Sequence, residues 1–274
     1  MYITGEEINN IADIGIYDKK YIDKFSVIKK YCKKIIYLDE INIEEKIKDC
    51  KIFFIKMSYI QFFINNILPY IKNKFILITH NGDEPSGNYK NIINNPLLIK
   101  WYGENMILTS EKTECLPIGL ENQMWKRTNF KIIDKFKNNN KKNLLYINFS
   151  VRTNKNREII LKKILEKGFK KNNNKPWNEY MEELSNYKFA LSPKGNGIDC
   201  HRTWECLYLG VIPIVEKSIV MNNFIELPIL IVDNYDIITK QFLEEKYIEF
   251  QNKKYNYDKL NINYWKKNIY NLFN

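Results

Sequence analysis

The apolar positions of the chain fall into short runs separated by segments with helical spacing. Phe75–Thr79 (FILIT) is a continuous apolar run, Ile35–Leu38 is a short one, and Lys51–Met57 (KIFFIKM) is rich in β-formers. Runs of this length, rich in β-branched and aromatic residues, predict strands buried on both faces of a parallel sheet. Ile41–Asp49 and Ser58–Ile71 place apolar residues three and four apart and predict helices. Leu97–Trp101 and Cys115–Ile118 add strand-like pieces. Lys131–Asn143 (KIIDKFKNNNKKN) is polar and low in complexity, and reads as a linker. Beyond it the alternation restarts. Leu144–Phe149, Phe189–Leu191, Ile212–Val215 and Ile229–Val232 read as strands. Asn156–Lys167, Trp177–Asn186, roughly Cys200–Leu209, and Asn263–Phe273 read as helices.

Strands alternating with helices predict an α/β protein made of βαβ units. The expected organisation is two Rossmann-like domains, 1–135 and 143–260, with a closing segment 261–274 that packs back on the first. At 274 residues the chain fits one large domain or two small ones.

Charge changes the picture little. The net charge is +11, which by itself suggests nucleic acid. Yet the surplus is lysine, and only four arginines are present, Arg127, Arg152, Arg157 and Arg202. Arginine is the better fork for phosphate and base edges, so no specific nucleic-acid partner is expected. A lysine-rich surface predicts solubility and at most peripheral contact with an anionic surface. Five cysteines lack metal-ligand or C-x-x-C spacing. With no charged-then-apolar leader in MYITGEEINN and no long apolar stretch, they predict reduced thiols, a cytoplasmic location and no transmembrane segment.

The chemistry concentrates in Tyr187–Val215 (YKFALSPKGNGIDCHRTWECLYLGVIPIV), a strand, a glycine-containing turn, a helix and a strand. Ligands of open α/β sheets bind at the carboxyl ends of strands. A helix starting there offers free N–H groups and a positive dipole end to a phosphate. Gly195 and Gly197 allow close backbone approach, Lys194 precedes the turn, and Asp199 can cap the helix. Arg202 can fork onto a diphosphate. Glu205 follows one turn later, where a carboxylate can accept two ribose hydroxyls. Trp204, Leu207 and Tyr208 face the core. The plain alternative is a surface ion pair between Arg202 and Glu205 beside ordinary capping residues.

This stretch resembles the donor-binding motif of exostosin-like glycosyltransferases. The matching pieces are Leu191-Ser-Pro-Lys-Gly195, His201-Arg-Thr-Trp-Glu-Cys-Leu207 and Gly210-Val-Ile-Pro-Ile-Val215, with Cys206 in place of the usual alanine. The resemblance implies the two-domain GT-B fold, with a nucleotide-sugar cleft between the domains and the acceptor domain first. It adds Ser192, Asn196 and His201 to the donor site, and Arg152 and Arg157 of Leu144–Arg157 as further phosphate ligands. It favours a UDP-sugar donor, a glycan acceptor and inversion at the anomeric carbon.

An inverting transfer needs a general base on the acceptor side. The turn after FILIT supplies Asp83, His80 and Glu84, with Asp83 preferred. Glu121 and Asn122 are candidates for lining the cleft. The sequence has no Asp-x-Asp of the kind that holds a divalent ion in sugar transferases, so no metal cofactor is expected. Two other readings stand beside this one: a nucleotide-sugar-binding module without turnover, and a basic nucleic-acid-binding protein.

Overall fold

The computed structural model describes residues 1–126 and 128–273. It is an α/β protein with two sheets whose strand pairings are all parallel. The first contains β1 (Ile14–Tyr17), β2 (Ile35–Tyr37), β3 (Ile52–Ile55), β4 (Phe75–Thr79), β5 (Leu98–Gly103) and β6 (Thr113–Cys115), in the order β2-β1-β3-β4-β5-β6. The second contains β7 (Asn143–Tyr146), β8 (Tyr187–Leu191), β9 (Ile212–Glu216) and β10 (Leu230–Val232), in simple sequence order. Strands β1, β3 and β4 are buried at every position, as continuous apolar runs require. The strand order of the first sheet reverses between β1 and β3, and the crevice beyond that reversal is where open α/β sheets take ligands. The arrangement is compatible with two Rossmann-like units.

The two sheets share a core. Trp204, Leu207, Val215, Val220 and Phe224 from the second half pack in one cluster with Phe53, Ile78 and Trp101 from the first. The helix Ile262–Asn271 buries Ile262, Trp265 and Ile269 in the same cluster. Lys266 pairs with Glu7 at 3.1 Å and the Tyr270 hydroxyl donates to the Ile11 carbonyl at 3.1 Å, so the end of the chain lies on its beginning. Among the described residues no helix is long and apolar enough to cross a membrane.

Several elements differ from the sequence reading. The supposed linker is half helix: Phe130–Phe136 folds because Ile133 and Phe136, one turn apart, pack against Met181 and Leu184. Ser58–Ile71 is not one α-helix. It runs from a 3-10 turn through one α turn into a π turn at Phe63–Ile67, and ends as a 3-10 turn at Leu68–Tyr70. Pro69 there has no N–H to continue the α ladder. β6, at Thr113–Cys115, begins two residues earlier than expected and stops short of Pro117, which has no N–H to give to a sheet. The reading also missed β1, only four residues long with Gly15 inside it, and the helix Lys240–Gln251, which covers the second sheet with Leu243, Phe242 and Tyr247.

Candidate active site

The turn after β8 is clamped from below. Arg157 is buried, and its guanidinium donates to the carbonyls of Lys194 (3.0 Å), Pro193 (2.7 Å) and Ser150 (3.0 Å) and to Thr153 Oγ1 (2.8 Å). Its donors are spent inside the protein, so the phosphate role expected for Arg157 is replaced by support of the Pro193–Lys194 backbone. A Cβ on Gly195 would stand 3.0 Å from Arg157 Nη2. The glycine lets Arg157 approach the turn this closely.

The same turn is stapled to the first sheet. Asn105, in the left-handed region at φ 50°, accepts the N–H groups of Ile198 (3.0 Å) and Asp199 (2.8 Å). A Cβ on Gly197 would lie 2.8 Å from Asn105 Nδ2. Asp199 is buried and accepts from Ile118 N (2.8 Å), Cys200 N (2.8 Å) and Trp204 Nε1 (2.8 Å to one oxygen). It therefore ties the helix start to the first sheet rather than acting as the residue at the helix cap, which is Cys200. Burial raises its pKa to about 6 despite these donors. Ser192 shares a hydrogen bond with Thr203 (2.9 Å), and His201 Nδ1 meets the Gly119 carbonyl at 2.8 Å.

On the helix His201–Tyr208, two expected donor-site residues, Arg202 and Glu205, are joined in a relay through Tyr180, which the sequence reading missed. Arg202 Nε donates to the Tyr180 hydroxyl (3.3 Å) and its guanidinium lies 5.6 Å from that ring's centre. The Tyr180 hydroxyl donates to Glu205 Oε2 (2.8 Å), and Trp177 Nε1 donates to Oε1 (2.9 Å). Glu205 and Arg202 are thus coupled through Tyr180, not as the direct ion pair of the plain reading. Nε makes the one hydrogen bond of the Arg202 side chain among the described residues, and Tyr180 and Glu205 attract its charge, so the terminal nitrogens can fork onto an anion. Lys194 is half-exposed and pairs with Glu216 at 3.4 Å. Arg152 is exposed on the neighbouring loop.

Where the two sheets meet, a cleft of about 170 Å³ opens at the ends of β1, β3, β4, β5 and β6. Tyr21, Lys56, Asn81, Asp83, Glu104, Met124, Trp125 and His201 line it. Asp83 is exposed at this cleft, and its Oδ2 accepts from Asn196 Nδ2 of the donor-side turn at 3.3 Å. His80 does not face the cleft freely. It is 1 % exposed, with Nε2 3.0 Å from the Pro117 carbonyl, and burial lowers its pKa. It is walled in as a core histidine, out of reach of an acceptor hydroxyl. Glu84 is exposed and absent from the cleft lining. Asn122 lines it and donates to Asn81 Oδ1 at 3.0 Å.

The sequence reading missed Glu104. It is 2 % exposed, and one carboxylate oxygen accepts the Gly82 N–H. The other oxygen is 3.2 Å from His80 Nδ1 yet lacks a well-formed hydrogen bond. Burial raises its pKa to about 8, against the opposing pull of the Gly82 N–H and His201. Glu104 holds the Asn81-Gly82-Asp83 turn, whose Asn81 is left-handed at φ 64°. Its only sequence signal was its place directly after the apolar strand β5. Among the described residues no group of three His, Cys, Asp or Glu side chains is arranged to hold a metal ion.

Comparison with known proteins gives one family. The model described as the RXYLT1 C-terminal domain matches residues 122–259, just over half of the chain. The match takes in the whole second sheet, the helix His201–Tyr208 and the Asn122–Trp125 wall of the cleft. A comparison with curated proteins found no match.

Proposed function

The chain belongs to the RXYLT1 C-terminal domain family, a glycosyltransferase family, and from that premise we propose that it moves a sugar from a nucleotide-diphosphate donor to a hydroxyl of a glycan. The observation that carries this reading is the Asn196–Asp83 contact, which sets the donor-side turn against an exposed carboxylate of the opposite sheet. In this reading the diphosphate lies at the start of the helix His201–Tyr208. Its charge is met by the fork of Arg202, by Lys194 and by the helix N–H groups, without a divalent ion. Glu205 acts through Tyr180, which it orients beneath Arg202.

Asp83 takes the proton from the acceptor hydroxyl. The hydroxyl oxygen attacks the anomeric carbon as the bond to the diphosphate breaks, and a single displacement inverts that carbon. Glu104 keeps Asp83 in place through the Gly82 N–H. A UDP-sugar is the favoured donor and the GT-B arrangement the favoured description of the fold.

The test is a thermal-shift screen against UDP-, GDP-, CMP- and ADP-linked sugars, with Arg202→Ala beside the wild type. A ligand that binds only the folded state raises the melting temperature. One nucleotide class should stabilise the wild type and lose roughly tenfold or more in affinity in the variant. Equal stabilisation of both proteins would remove Arg202 from the donor site.

A further inference from the structure

One wall of the cleft is aromatic, formed by Tyr21 and Trp125. Trp125 is 43 % exposed, whereas Trp101, Trp204 and Trp265 are fully buried. Its position is fixed rather than loose. The buried carboxylate of Glu6 accepts the N–H groups of Gln123 and Met124, each at 2.9 Å, and Asn122 Oδ1 accepts the Glu6 N–H at 3.0 Å. The Trp125 ring packs edge-on against Phe25, with centroids 4.6 Å apart, and Phe25 leans on Tyr21 at 5.1 Å. Tyr21 also lines the cleft and carries Lys56 Nζ 3.8 Å from its ring centre. A large ring held out to water by a pinned backbone, beside polar groups, marks a binding surface.

We propose that Trp125 and Tyr21 form the platform on which a neutral pyranose ring of the acceptor lies, with its C–H face on the aromatic rings and its hydroxyls toward Asp83 and Lys56. The inference rests on the transfer reading only in calling this sugar the acceptor; the saccharide site itself stands on the cleft. Aromatic rings cover the apolar face of a sugar, while carboxylates, amides and ammonium groups pair with its hydroxyls. The same chemistry disfavours a nucleotide here, because the exposed Asp83 carboxylate lines the cleft and its charge opposes a diphosphate. The volume of about 170 Å³ is below that of drug-sized pockets and suits a single ring. The platform and Asp83 share one framework, since Asn122 donates to Asn81 in the turn that bears Asp83.

Only Trp125 and Trp177 among the five tryptophans are appreciably accessible, so fluorescence can isolate the site. In a Trp177→Phe background, acrylamide quenching is measured while methyl β-xylo-, gluco- and galactopyranosides and their disaccharides are titrated to millimolar levels. At least one pyranoside should shield Trp125 from the quencher, and the shielding should vanish in Trp125→Phe, which removes the reporter. In a transfer assay Trp125→Ala should raise the acceptor KM roughly tenfold with the thermal shift by the donor unchanged. Shielding by nucleotide sugars alone, shielding by no pyranoside, or an unchanged acceptor KM would overturn the proposal. Shielding by a pyranoside without any turnover would uphold the site and count against the transfer reading instead.

Discussion

Two turns face each other across the cleft, and they are held by opposite kinds of buried group, a guanidinium that donates and a carboxyl oxygen that accepts. On the second sheet the carbonyls of Pro193 and Lys194 turn inward onto the Arg157 cation. On the first sheet the Gly82 N–H turns inward onto the Glu104 carboxylate. Each turn has its inward backbone groups satisfied from within, as buried polar groups must be. What is left facing the cleft or solvent is of the same type as the clamp in each case: Arg202 and Lys194 on the guanidinium-clamped side, Asp83 on the carboxyl-clamped side. Support and function are therefore carried by different residues of the same charge type, and proximity to the site does not tell them apart. The number of donors already spent does.

The sharpest way to break this comparison is at the clamps. Arg157→Ala leaves three carbonyls without their donor and should destabilise the fold by about 3–5 kcal/mol, read in denaturant unfolding. Arg152→Ala, an equally basic neighbour with no side-chain partner among the described residues, should leave unfolding unchanged. If both behave alike, the support role of Arg157 is wrong.

Glu104 gives a smaller, pH-dependent effect. Its folded pKa of about 8 lies above the unfolded value, so from roughly pH 4.5 to 8 the folded state keeps a proton that the unfolded state releases. Its contribution to stability therefore falls as pH rises through that window. Glu104→Gln does not titrate, so its stability relative to wild type should improve by on the order of 3 kcal/mol between pH 5 and pH 9. Thermal melts across that range check it; a constant difference would show that the carboxyl is not held neutral by burial.

The asymmetry also explains what the sequence could convey. The Ser192–Arg202 turn is contiguous and written in Pro, Gly and Arg, so strand, turn and helix could be read directly. The FILIT strand was legible because a strand buried on both faces has no polar position to obscure it. Glu104 was not legible. A glutamate after a strand looks like any solvated carboxylate, and its burial comes from Gly82, His80 and the opposite sheet, none of them near in sequence. Arg157 looked available because only the folded turn supplies its carbonyl partners. The helix Phe130–Phe136 was masked by its lysines and asparagines, though Ile133 and Phe136 carry its contacts. Trp125 gave no signal, because exposure is a property of the fold.

The central claim is that sugar is transferred where these two turns meet. Its most direct measurement is release of nucleoside diphosphate from UDP-, GDP- and ADP-linked sugars, with and without a saccharide acceptor, in wild type and Asp83→Asn. The account predicts release that the acceptor stimulates and that the substitution slows by roughly a hundredfold or more, with donor binding intact. Release unaffected by Asp83→Asn, or no release from any donor, would contradict it.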